Sequence, residues 1–160
     1  MEQFELDFNK SKKYLFAADH MLSTTYPLIG DPKMLLAVIN NLNIALVSIL
    51  DSLLSFEIYY KRLGYIGTDF ETKLRVFQQE LADKYSFDKE FILVLREINE
   101  ILKSHKESPV EFSKNGKFVI CSESFSLKTI SSDLLKNYII KAKLYYNTLS
   151  NILKNDRIFG

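Results

Sequence analysis

Apolar residues recur at helical spacing along most of this chain and switch to an alternating pattern in one short stretch. In the first segment Phe8, Tyr14, Leu15, Ala18, Met21 and Leu22 mark one helical face. They predict a helix from about Asp7 to Thr25, stopped by Tyr26-Pro27. The next segment, Asp31 to Leu63, is the longest periodic run and holds no glycine and no interior proline. Asp31 suits an N-cap, Pro32 the first helical position, and Gly64 a left-handed C-terminal cap. A helix of about 32 residues would be roughly 48 Å long, about three times the average, so it predicts the spine of a bundle.

Three further helices follow. Thr68 and Glu71 have the spacing of a capping box and open a third helix through Leu74, Phe77 and Leu81 to about Lys84. Ser86 or Asp88 caps a fourth, with the stripe Phe91, Ile92, Leu95, Ile98, Ile101 and Leu102. Ser131 or Ser132 caps a fifth, which runs to about Asn155 on a face that includes Leu135, Tyr138, Ile139, Ala142, Tyr145 and Leu149.

Between the fourth and fifth helices the period falls to two. Val110–Ser113 and Phe118–Cys121 flank Lys114-Asn115-Gly116-Lys117, and Asn-Gly accepts the positive φ values of a type I′ turn. This predicts a β-hairpin, with Phe125–Ile130 as a further extended stretch. An isolated hairpin is marginal in water, so Phe112, Phe118, Ile120 and Phe125 are expected to pack it against the helices. The fold expected is one all-α domain over residues 1–160: a five-helix bundle on a long second helix, with a small hairpin between helices 4 and 5.

Composition narrows the class of function. The 21 basic and 20 acidic side chains leave a net charge of +1, which argues against a dedicated nucleic-acid or anionic-membrane binder. Asn40, Asn41, Asn43, Ser48, Asp51, Ser52 and Ser55 interrupt the second helix, so it reads as a buried core helix, not a membrane span. MEQFELDF is acidic and amphipathic, unlike a signal peptide, and Cys121 is the one cysteine; both lead us to expect a cytoplasmic protein. Asn40, Asn43, Asp51 and Ser55 fall near one line of that helix, either its solvent face or a hydrogen-bonded seam between subunits.

Candidate chemistry is sparse. His20, His105 and Cys121 lack the spacing of a metal signature, and no phosphate-loop, dinucleotide or nucleophile-elbow motif occurs. No catalytic residue, metal site or cofactor is therefore assigned. The long connection after the fourth helix carries His105, Lys106, Lys114, Lys117 and Phe118, a basic and aromatic mixture that resembles a single-strand-binding surface. These five residues form the candidate site for a protein or RNA partner.

The segments YLFAADHML and NLNIALVSILDSLLSFEIYYKRL, together spanning Tyr14 to Leu63, resemble the HEPN superfamily of helical proteins. That resemblance implies a helical bundle that pairs into dimers, and in many members ribonuclease activity. The HEPN nuclease signature is an Arg followed after four to six residues by a His. Here Ile98, Asn99 and Glu100 stand at the eligible positions before His105, and Lys13, Tyr14 and Leu15 before His20. Arg96 is too distant from His105, so the resemblance carries over no active site. The expectation is a non-catalytic homodimeric interaction or scaffold module; the alternative is an RNA-binding or HEPN-like ribonuclease protein acting through the long connection.

Overall fold

The computed structural model describes residues 1–124 and 126–159. The chain is mostly helical, with a small three-stranded antiparallel sheet. Helix α1 spans Gln3–His20, four residues ahead of the predicted start. Glu2 and Glu5 form a reciprocal capping box that fixes this earlier start and brings Phe4 into the core against Phe56 and Tyr59.

Tyr26-Pro27 does not stop the helical path. A wider π-type turn, Met21–Thr25, precedes a one-turn helix α2, Tyr26–Ile29, with Pro27 in its first turn. Pro27 lacks an N–H that continuous helix would pair one turn back, and the wider turn immediately before it accommodates that gap. Gly30, at φ 70°, ends the segment.

Helix α3 spans Met34–Tyr59 and packs against α1 and against two later helices, α5 (Glu90–Glu107) and α6 (Ser132–Phe159). It begins later than predicted because Asp31–Lys33 form a turn in which Asp31 accepts from the Lys33 N–H at 3.0 Å. It ends earlier because the chain reverses at Lys61, in the left-handed region at φ 60°, and not at Gly64. The Arg62 N–H then bonds the Glu57 carbonyl at 2.9 Å, so pairing with Glu57 sets the stop.

Helix α4 spans Phe70–Val76 and runs into a second π-type turn, Phe77–Leu81. Its cap is Asp69, which accepts from the Thr72 N–H at 3.1 Å; the predicted Thr68–Glu71 box does not form. Glu71 instead pairs with Arg96 at 3.2 Å. Helix α5 spans Glu90–Glu107, with Asp88 accepting from the Glu90 N–H at 2.8 Å. Phe77, Phe87, Phe91 and Tyr145 form an aromatic cluster at centroid distances of 4.9–6.0 Å. Helix α6 spans Ser132–Phe159, and Ser131 supplies its cap to the Leu134 N–H.

Strands β1 (Val110–Lys114), β2 (Lys117–Cys121) and β3 (Leu127–Ile130) pair in that order. Asn115 and Gly116 take φ 53° and 73°, as a type I′ turn requires. Alternation along β2 sends Phe118 and Ile120 into the core, with Ile130 opposite Phe118. Phe112 lies opposite Val119 on the other face and is 41% exposed, so it does not anchor the hairpin as expected. Phe125 lies outside the described residues.

By length and composition α3 could cross a membrane. Its apolar faces are occupied by other helices, and Ser48, Ser52 and Glu57 are buried among them. Ser52 donates to the Phe4 carbonyl at 2.8 Å.

Candidate functional site

Local structure divides the five predicted site residues among three places. His105 and Lys106 end α5; Lys114 and Lys117 flank the β1–β2 turn, directly opposite each other and exposed. Phe118 is 2% exposed and packs in the core, so it offers no stacking surface to a base. This corrects the expected basic and aromatic surface: β-strand alternation turns the ring inward, away from the lysines that neighbour it in sequence.

His105 and Lys106 instead meet residues that sequence proximity does not connect. They line a cleft of about 570 Å³ together with Asn99 and Lys103 of α5 and Asn40 and Asn43 of α3. Leu102 is the apolar residue of the lining. The cleft lies beyond the contacts that α4 makes with α3 and α5. α4 bridges the α3–α5 seam where Lys73 meets Asp51 at 2.9 Å and Glu71 meets Arg96. Asn43 lies two turns before Asp51, and Asn99 one turn after Arg96, where the seam is open.

His105 Nδ1 lies 2.6 Å from a Glu111 carboxylate oxygen, tying the end of α5 to β1. Among the described residues, neither Lys103 nor Lys106 has an ion-pair partner, and the Asn40, Asn43 and Asn99 amides have no hydrogen-bond partner. The cleft therefore presents two uncompensated ammonium groups and three unused amides.

The polar line on α3 resolves into parts. Asp51 binds Lys73, and Ser55 donates to Asp7 at 3.4 Å, both within the chain; only its first turns, at Asn40 and Asn43, face the cleft. Burial pushes the Asp7 carboxyl above its ordinary value, against the hydrogen bonds from Gln3 and Ser55.

The most enclosed charge escapes sequence reasoning. Glu57 is 1% exposed yet accepts from Arg62 at 2.9 and 3.0 Å, from Lys84 at 2.8 Å and from the Tyr85 hydroxyl. Burial pushes its carboxyl up, but the bonds from Arg62, Lys84 and Tyr85 outweigh it and hold the group below the usual carboxylate range. The signal was an acidic residue inside an apolar helix with an arginine five residues on. With every acceptor direction used, Glu57 fastens the end of α3 to the segment before α5.

His20 is exposed at the end of α1. Cys121 contacts the Ser122 carbonyl at 3.6 Å, and the imidazole of His105 is engaged by Glu111. Among the described residues, no group of three His, Cys, Asp or Glu side chains converges on a metal position. Comparison with family models, characterised proteins and solved structures finds no match.

Proposed function

We propose that this chain is a non-catalytic helical interaction module that forms a homodimer through the outer face of α6. The observation that carries the reading is the row Asn137, Ile140, Leu144 and Asn147. Ile140 is 62% and Leu144 56% exposed, on a helix whose other apolar side chains are largely buried. The row reads alike in both directions. A two-fold axis at the level of residue 142 sets Ile140 against Leu144 of the second copy, and Asn137 against its Asn147. Such self-complementarity is what an isologous contact needs.

Flanking charge permits the pairing. Lys141 and Lys143, which border the face and would meet across the axis, are neutralised by Glu90 at 2.9 Å and Asp19 at 2.8 Å. Phe16, exposed one turn from Asp19 on α1, widens the apolar patch toward the area that a specific interface requires, about 1,000 Å² or more. In this reading the helices are a bundle around α3, the sheet is an appendage between α5 and α6, and the protein is cytoplasmic. The HEPN likeness belongs to the same proposal, as a source of paired-bundle architecture without an active site.

Sedimentation velocity at micromolar concentration tests the reading. A dimer is expected, and Leu144→Lys is expected to give a monomer of unchanged helicity. A wild-type monomer overturns the proposal.

RNA binding is the lesser reading. What favours it is the set of exposed lysines Lys106, Lys114 and Lys117; with Phe118 buried it rests on phosphate contacts alone. Such binding to a labelled mixed-sequence RNA should weaken strongly between about 50 and 200 mM salt. No binding at the lower salt removes this reading.

A further inference from the structure

We infer that the cleft between α3 and α5 is a binding site for a small phosphomonoester carried on a hydroxyl-bearing body, such as a sugar phosphate. The inference is independent of the dimer face, which lies on α6.

Two asparagines within the first turns of α3 are poor choices for helix stability, since Asn competes with its own backbone for hydrogen bonds. Ile39 and Leu42 on that helix are apolar and buried, but Asn40 and Asn43 line the open cleft. Opposite them stand Asn99, Lys103 and Lys106, spaced four and three residues apart and so on one side of α5. Among the described residues none of these five side chains is hydrogen-bonded to protein. A volume of about 570 Å³ suits a small organic ligand, for which pockets run roughly 300–1,000 Å³.

The lining also selects the chemistry. Lys103 and Lys106 are helix neighbours whose ammonium groups can reach one anionic group, and a phosphomonoester carries close to two charges where a carboxylate carries one. Each asparagine amide offers two donors and one acceptor, which match hydroxyls that both donate and accept. Leu102 alone cannot form an apolar floor for a hydrocarbon ligand. His105, with Nδ1 on Glu111, leaves Nε2 as its uncommitted ring nitrogen beside the lysines.

The test is an NMR titration of the ¹⁵N-labelled full chain with glucose 6-phosphate, glucose and inorganic phosphate. Glucose 6-phosphate should shift the side-chain amides of Asn40, Asn43 and Asn99 and the backbone amides of residues 99–106, with a dissociation constant on the order of 1 mM or tighter. Lys103→Glu/Lys106→Glu should weaken this about tenfold or more while leaving the rest of the spectrum intact. Glucose alone should leave these amides unmoved, and inorganic phosphate should shift them more weakly. Absence of localised shifts, shifts centred on Lys114 and Lys117, or an unchanged response in the double variant overturns the site. An equal response to inorganic phosphate overturns the hydroxyl-bearing body.

Discussion

The two ends of α3 treat polar groups in opposite ways. Near its C-terminus Glu57 is 1% exposed and surrounded by Arg62, Lys84 and Tyr85, so its charge is matched and dry. Near its N-terminus Asn40 and Asn43 face two lysines across an open cleft with their hydrogen-bonding capacity unused. The cause is what covers each end. The reversal at Lys61 folds Arg62 back over Glu57, and the turn after α4 delivers Lys84 and Tyr85. At the other end the α3–α5 seam lies beyond the contacts of α4 at Asp51 and Arg96. A satisfied polar cluster holds the fold together; an unsatisfied one in an open cleft is available to a ligand.

Substitution should separate the two ends sharply. Glu57→Ala removes a buried carboxylate from three partners and should cost about 3 kcal/mol, the low end for a broken buried pair, because Arg62 and Lys84 can regain water. Urea unfolding measures this, and a loss below about 1 kcal/mol would break the comparison. Between the two ends, Leu46→Ala creates a cavity in the middle of α3 and should cost about 2–5 kcal/mol. An unchanged melting temperature would show that this face of α3 is not in the core.

Tyr85→Phe deletes one hydroxyl donor to Glu57 and should cost about 1 kcal/mol. Asn43→Ala, at the open end, should change stability by no more than about 0.5 kcal/mol in either direction. A larger loss would mean that the amide is structural after all.

Acid sharpens the same contrast. The Glu57 carboxyl is held below its unfolded value, so the stability it contributes is fully present above the unfolded pKa and is lost as pH falls through the folded one. Wild-type protein should therefore lose melting temperature below about pH 4.5 more steeply than Glu57→Gln. Asp7 has the opposite sign: its carboxyl is raised, so ionising it costs stability as pH rises past the unfolded value. Asp7→Asn should leave the protein slightly more stable at neutral pH, as a thermal melt would report.

Much of the fold was legible because local rules act over a few residues. The helical stripe of α5, the Asn115-Gly116 turn and a serine cap at Ser131 or Ser132, of which the structure uses Ser131, follow from spacing and backbone preference. Element ends were less legible, because competing partners decide them. Glu71 could have capped α4, but Arg96 of α5 takes its carboxylate; Gly64 could have ended α3, but Glu57 draws the reversal to Lys61. At the site, His105 and Lys106 were visible as residues on a long connection. Asn40 and Asn43, more than fifty residues away, belong to the same cleft only because α3 and α5 pack together.

The sequence by itself determined that the chain is mostly helical, roughly where the main helices lie and that Asn115-Gly116 makes a tight turn. Periodicity and turn chemistry are properties of neighbouring residues. Tertiary structure alone decided which polar groups are matched. It enclosed Glu57 among three donors and left Asn40, Asn43, Lys103 and Lys106 facing one another across an open cleft. Those outcomes depend on how far one helix extends over another, and no local pattern of residues encodes that distance.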